Sequence, residues 1–429
     1  MNIQELYQLF LQNSSVETDT RKIKKGDLFF ALKGPNFNGN EFALQALEMG
    51  AAFSVVDEAL NTEDDRIIKV ADVLSTLQGL AKYHREQFSI PFIAITGSNG
   101  KTTSKELIYA VLSAHYTTYT TQGNLNNHIG VPLTLLSVKK DAEMAVIEMG
   151  ANHQKEIESY CNYTLPTHGV ITNCGKAHLE GFGGETGVRK GKGELFDFLK
   201  AHMGTAFVNA DYEYLLEMSN GIEKVFKYGT LEGEIQGTIF SNDPYIEVGI
   251  TKGLEKETII QTHLVGDYNL PNILCAVAIG KFFSVPEVKI KVALEKYIPS
   301  NSRSQLIKKG TNTLILDAYN ANPTSMKAAI ENFAKMQATH KVLMLGGMME
   351  LGNESIEEHR ILLDLIKKYP WENVVLVGGD FSKINHDFIF FENSTDAAGW
   401  LFQQSFQNTH FLIKGSRSMQ MERIVELDN

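Results

Sequence analysis

Cysteine is scarce in this chain of 429 residues, with only Cys161, Cys174 and Cys275 present. No C-x-x-C pair occurs, so nothing points to a C-x-x-C redox or metal motif, and reduced thiols in a cytosol are expected. Positive charge is short as well. Against 51 Asp and Glu stand 40 Lys and Arg, a net charge of −11, which argues against a broad nucleic-acid surface and leaves room for a local basic pocket. Long apolar runs are missing too. The opening "MNIQELYQLFLQNSS" has neither a basic start nor an apolar stretch of signal length, and no later run approaches a membrane span. A soluble, cytoplasmic protein without membrane insertion is therefore expected. What remains is ordinary globular material, 43% hydrophobic and 21% charged, enough for about two to four domains with real cores.

Hydrophobic patterning divides the chain into three α/β blocks without repeats. Residues 1–70 alternate short strands such as "DLFFAL" and "AAFSVVD" with the helical "NEFALQALEMG". The central block, 71–299, opens with the helical "VADVLSTLQGLAKYHREQF", alternates strands with helices, and turns strand-rich between residues 224 and 265 before the helical "PNILCAVAIGKFF". This predicts a mixed or partly parallel sheet with an appended strand layer. In the third block, 300–429, "TLILDAY", "KVLMLGG", "NVVLVGG" and "HFLIKGS" read as buried strands separated by helices, the pattern of a doubly wound sheet.

One stretch carries chemistry of its own. "AITGSNGKTTSKE", residues 94–106, follows the apolar "PFIAIT" and runs into "KTTSKELIYAVLSA", with apolar residues at helical spacing. A strand, a tight glycine turn and a helix follow one another. Gly97 and Gly100 let the backbone approach an anion, the helix N-terminus offers unpaired N–H groups, Lys101 adds charge and Thr102 can reach a magnesium ion. Only G-x-x-G-K-T of the full P-loop pattern is satisfied, because Ile95 stands where the first glycine belongs. The bland alternative is a glycine turn capped by a lysine.

Doubly wound sheets place their sites just past the carboxyl ends of strands. Glu148 ends the apolar "MAVIE", where a carboxylate suits magnesium at the phosphates or simply faces water. His178 follows "GVITNCGKA"; a lone histidine there is more often a surface or hydrogen-bonded residue than a ligand. Lys192, in "VRKGKGELF", belongs to a basic run that would ordinarily be a solvated helix face.

A resemblance singles these residues out. In order, "TGSNGKTT", "GNLNNHIGVPLTLL", "IEMGANHQKEI", "TNCGKAHLEGFG", "KGELF", "GDYNLPNILCA" and "LDAYNANPTSM" resemble the Mur ligases, ATP-dependent enzymes that assemble the peptide of bacterial cell-wall precursors. Near the two ends, "DTRKIKKGDLFFALKGPNFNG" and "LIKGSRSMQMERIV" resemble the member that joins D-alanyl-D-alanine to UDP-N-acetylmuramoyl-tripeptide. The resemblance implies an N-terminal uridine-nucleotide domain, a central P-loop-like ATPase domain and a Rossmann-like C-terminal domain. It also implies that Gly97, Ser98, Asn99, Gly100, Lys101, Thr102 and Thr103 hold ATP. Two Mg2+ ions would be bound by Thr102, Glu148, His178 and Lys192, with Lys101, His178 and Lys192 as the catalytic set. Lys192 matches the lysine that takes up carbon dioxide as a carbamate, which turns a cation that would repel magnesium into a carboxylate-like ligand. Asn269 and Asn272 fall where the family meets the nucleoside, and Arg303, Asp317 and Asn320 where the C-terminal domain closes over ATP. Thr20, Arg21 and Lys33 lie in the segment resembling the uridine-nucleotide pocket. Asn126 and Asn127 are further substrate candidates, and Lys414, Ser416 and Arg417 form a turn suited to the carboxylate of D-alanyl-D-alanine. A monomer is expected.

Three positions depart from the family pattern. Gly347 in "LGGMMELG" replaces an acid, and Asn38 and Asn40 in "NFNGNEF" replace the usual aspartate and histidine. The implied reaction is attack of a carboxylate on the γ-phosphate of ATP, followed by attack of an amine on the acyl phosphate. The neighbouring ligase that adds the third amino acid and a folylpolyglutamate synthetase share the central motifs. Against them stand the missing D-N-P-R stretch and "DAYNANP" where Tyr-Ala-His is usual. A nucleotide-gated binding switch without ligase chemistry is the reading from another class, and Glu148, His178 and Lys192 together argue against it.

Overall fold

Three parallel-rich sheets, each wrapped by helices, follow one another along a computed structural model that describes residues 1–13, 15–300 and 302–426. Residues 427–429, the end of the third block, lie outside the described residues. The first sheet is parallel throughout, in the order Val16–Glu17, Leu28–Phe30, Phe53–Val56, Ile67–Lys69. Successive side chains of a strand point to opposite faces. Accordingly Phe29 packs with Ala43, Ala46 and Leu47 on one side, while Leu28 and Phe30 join Leu6, Leu77 and Leu80 on the other. The helix Val73–Arg85, expected to open the central block, thus also covers the N-terminal sheet. It is capped by Asp72, which accepts from Ser75 N, and it packs on the helix Ile3–Gln12.

The central sheet has nine strands, in the order Thr118–Thr120, Met144–Glu148, Phe92–Thr96, His168–Ile171, Thr205–Asn209, Lys224–Gly229, Ile235–Ser241, Glu247–Lys252, Thr258–Gln261. Neighbours are parallel as far as Ile235–Ser241, and the last two pairings are antiparallel. The expected mixed sheet is present, and its appended strands, residues 224–261, extend the same sheet edgewise rather than forming a layer of their own. Edge pairing satisfies the backbone groups of Thr205–Asn209 directly, whereas a second layer would leave them open. One face of the extension still needs cover, and the almost fully buried helix Leu270–Phe282 supplies it, packing with Val248, Ile250 and Ile260.

The third sheet runs Gln305–Lys309, Asn312–Asp317, Thr409–Lys414, His340–Gly346, Asn373–Val377, Ile389–Phe391, parallel except at the first pair. All four expected strands are present, with an added strand at either edge. In the central sheet, register decides where chemistry can gather. Ile95 pairs with Glu148 and Thr96 with Ile171, so the loops after Phe92–Thr96, Met144–Glu148 and His168–Ile171 leave the sheet side by side.

Candidate active site

The glycine turn is built by exclusion. A Cβ on Gly97, at φ 144°, would lie 2.0 Å from Thr172 Oγ1, and one on Gly100, at φ 78°, would lie 2.5 Å from Asn272 Oδ1. Only glycine fits either position. The turn is then locked from the neighbouring loop. Ser98 N donates to Asn173 O at 2.9 Å, Asn99 N to Asn173 Oδ1 at 3.0 Å, and Thr172 Oγ1 to Asn99 O at 2.6 Å. Thr103 follows in the first turn of the helix Lys101–Ser113. Lys101 Nζ donates to Gly97 O at 2.7 Å and Ser98 O at 3.2 Å, at the mouth of the turn. Burial lowers the Lys101 pKa, with Glu148 opposing the shift and Arg303 adding to it.

Glu148 is 1% exposed. Its Oε1 accepts from Thr102 Oγ1 at 3.1 Å and from Asn126 Nδ2 at 2.7 Å, while Oε2 is buried without a hydrogen-bond partner. A buried, half-used carboxylate beside a phosphate turn suits a divalent cation, and magnesium commonly takes one or two carboxylates plus phosphate oxygens and water. Among the described residues no group of three His, Cys, Asp or Glu side chains is placed to hold a metal ion. Lys192 is also 1% exposed, and its Nζ donates to Ala151 O at 2.9 Å and lies 4.8 Å from the Phe182 ring centroid. Burial first, and then the Lys101 charge, bring its pKa down to about 7. The solvated basic face that composition suggests is thus absent at Lys192.

His178, at φ 52°, turns toward the C-terminal domain. Its Nδ1 lies 2.6 Å from Glu350 Oε2 without meeting hydrogen-bond angles, and this contact holds the Glu350 carboxyl below its usual range. Three further contacts join the two domains here. Asn322 Nδ2 donates to Asn99 Oδ1 at 2.8 Å, Lys176 N to Thr324 Oγ1 at 3.1 Å, and Lys176 Nζ to Glu358 Oε1 at 2.6 Å. The C-terminal domain therefore sits directly on the glycine turn. Arg303 stacks 3.6 Å from the Tyr319 ring centroid with its Nε buried and unpartnered.

Other candidates have partners of their own. Asn272 Nδ2 donates to Asn269 Oδ1 and its Oδ1 accepts from Ser104 Oγ, which ties the helix Leu270–Phe282 beneath the turn. Asn127 caps the helix Gly130–Leu136 by accepting from Gly130 N. Lys414 is buried, pairing with Asp317 Oδ2 at 2.6 Å and Asn320 O at 3.3 Å, so its charge is committed inside the domain and does not stand free for an acceptor. Ser416 Oγ accepts from Met349 N, whereas Arg417 keeps an exposed guanidinium, 3.6 Å from Glu422. In the N-terminal domain Lys33 Nζ lies 3.0 Å from both Asp57 and Glu58, and Arg21, just after Thr20, grips Asp19 through two hydrogen bonds. Asn40 is buried and joins Asn38 to Asp57. Gly347 has no room for an acid, since a Cβ there would meet Gly379 Cα at 2.6 Å.

Sequence reasoning passed over Thr172, Asn173, Lys105, Thr121, Glu194 and Glu350. Lys105 Nζ donates to Thr121 O, and Thr121 Oγ1 accepts from Glu148 N, so this pair sets the end of the carboxylate's strand. "TNCGKAH" was the available signal for Thr172 and Asn173, which immediately follow a buried strand.

Three family profiles match the chain: "Mur ligase family, catalytic domain" at residues 13–87, "Mur ligase middle domain" at 95–280, and "Mur ligase, glutamate ligase domain" at 302–417. The UDP-N-acetylmuramoyl-tripeptide–D-alanyl-D-alanine ligase of Escherichia coli is 36% identical over 96% of this chain and 92% of its own length. That of Bacillus subtilis is 32% identical over the same shares. Among solved structures, MurF from Acinetobacter baumannii superimposes with a TM-score of 0.89 at 30% identity, covering 99% of this chain and 98% of that one. Matches of this extent, on a fold whose glycine turn and buried Glu148 carboxylate stand at adjacent strand ends, establish that the chain belongs to the Mur ligase family.

Proposed function

We propose that the chain joins D-alanyl-D-alanine to UDP-N-acetylmuramoyl-tripeptide at the expense of ATP, giving the pentapeptide, ADP and phosphate. The observation that carries this reading is the run of relatives with that one activity along 96% of the chain. The site has the parts the reaction needs. The tripeptide carboxylate attacks the γ-phosphorus, an O–P bond forms and ADP leaves. The amine of the dipeptide then attacks the acyl carbon, loses a proton and expels phosphate. Lys101 and the N–H groups of the turn offset the charge that develops on the phosphates. Bound magnesium would supply further positive charge there, held by Thr102 and Glu148 and, at a second position, by His178 and Lys192. For Lys192 this requires the carbamate: the amine lone pair attacks carbon dioxide, an N–C bond forms and a proton leaves to water. A pKa near 7 keeps part of that amine uncharged at neutral pH. Arg303, Asp317 and Asn320 would serve ATP from the C-terminal side, and Thr20, Arg21 and Lys33 the uridine nucleotide.

We take residues 1–70, 71–299 and 300–429 as the three functional units of a cytoplasmic monomer. Among the described residues no helix is long and apolar enough to cross a membrane. The test is a paired release assay. ADP and phosphate should form with the muramyl tripeptide and D-alanyl-D-alanine, and not with the muramyl dipeptide and a free diamino acid. The opposite preference would assign the protein to the ligase that adds the third residue.

A further inference from the structure

The helix Glu185–Ala201 carries Lys192 and, two residues on, Glu194, whose side chain is also buried. Glu194 has an unusual task. Its Oε1 accepts from Lys155 N at 2.6 Å and its Oε2 from Glu158 N at 3.0 Å, which caps the helix Glu156–Thr164 from outside. The local N-cap residue, Lys155, makes no side-chain cap and sits at φ 72°. A serine or aspartate at that position would do the same job locally. Here the cap is supplied by the helix that carries Lys192.

Segment 149–155 links Glu148 to the capped helix. At its near end Met149 O accepts from Thr96 Oγ1 and Gly150 N donates to Asn126 O. In its middle Ala151 O takes the Lys192 amine, and at its far end Lys155 N is held by Glu194. Residues two apart on a helix point about 200° apart. Lys192 and Glu194 therefore seize the segment at two separate places and fix it against sliding along the helix. We propose that Glu194 is a positioning residue for the Lys192 amine: by capping Glu156–Thr164 it fixes segment 149–155, and with it the Ala151 carbonyl, so that the amine and the Glu148 carboxylate keep one geometry. The catalytic consequence rests on the reading of Lys192 as a magnesium-binding carbamate, and the mechanical part does not.

The test compares wild type with Glu194→Gln, which keeps the volume but loses the charge and one acceptor oxygen. Glu158→Pro is the second variant; it deletes one of the two donated N–H groups in a first helical turn that tolerates proline. Folding is checked by thermal unfolding. The first readout is the rate at which acetic anhydride labels Lys192 in the full chain, measured by mass spectrometry. The second is the carbamate signal in carbon NMR under labelled bicarbonate. Both variants should label Lys192 faster, Glu194→Gln by about tenfold, the scale of one lost charge-assisted hydrogen bond, and should weaken the carbamate signal while the fold persists. Unchanged labelling in a folded variant of either kind overturns the proposal. If wild type gives no carbamate signal but labelling still depends on Glu194, the positioning role stands and the carbamate reading falls.

Discussion

At the residue scale, Lys101 shows how position equips a side chain for a proposed role. Its amine sits at the mouth of a turn whose glycines admit no side chain, with Glu148 and Arg303 close enough to act on its charge. If Lys101 stabilises the phosphates in the transition state, Lys101→Ala should reduce ligation by about a hundredfold or more, the size of one lost preorganised contact. Steady-state ADP release at saturating substrates measures this, and near-normal turnover would remove the turn from the chemistry. A second contrast separates two cations that the sequence places in one turn. Lys414 is buried against Asp317, so Lys414→Ala leaves an unpaired carboxylate and should destabilise the protein by about 3 kcal/mol in denaturant unfolding. Arg417 is exposed. Arg417→Ala should leave stability unchanged and raise the KM for the dipeptide with little effect on that for ATP. A stability loss equal to that of Lys414→Ala would make Arg417 structural.

At the scale of single elements, strain and burial give further expectations. Lys155 opens its helix in the left-handed region, which suits glycine far better than lysine. Its ammonium pairs with Glu158 at the surface, a contact worth little. Lys155→Gly should therefore raise stability by up to about 1 kcal/mol, with the backbone N–H still available to Glu194. Chemical denaturation would show it, and a loss of stability would mean that the lysine side chain outweighs the strain. The strand His168–Ile171 begins with a histidine set among Phe207, Phe282 and Phe283, where burial, with Lys224 adding, brings its pKa down to about 4. The unfolded chain binds that proton first, near pH 6.5, so the neutral ring's contribution is complete above that value. It is lost as pH falls toward 4, a total of about 3 kcal/mol. Unfolding of His168→Leu should be flatter than wild type by that amount between pH 6.5 and 4, and parallel curves would refute the assignment.

At the scale of the whole molecule, the N-terminal and C-terminal sheets are each tied to the central one. The helix Val73–Arg85 joins the N-terminal sheet to the central one through the contact of Tyr7 with His84 and the hydrogen bonds from Arg85 to Thr164 O and Leu165 O. On the other side, Asn322, Thr324, Glu350 and Glu358 bring the C-terminal domain onto residues 99–178. A reaction with three substrates gains most from such an arrangement, because approach and water exclusion are settled before any bond forms. The paired release assay belongs to this scale, since on the proposed function the C-terminal domain would choose the acceptor and the N-terminal domain the donor.

The sequence by itself determined the features written in contiguous residues. "PFIAIT" had to be a covered strand, "GSNGKTT" a tight glycine turn opening a helix and "TLILDAY" a strand of a doubly wound sheet, because each signal lies in neighbouring side chains and backbone geometry. The family pattern likewise lay in ordered local motifs, and it drew attention to Lys192 where composition alone suggested a solvated face. Tertiary structure decided what depends on approach between distant segments. Strands 224–261 joined the central sheet because an open edge was there to be paired. Lys414 found Asp317, His178 met Glu350, and Glu194 capped a helix that begins 38 residues earlier in sequence, at Glu156. A buried charge takes whichever partner the packing presents, and local sequence does not specify that partner.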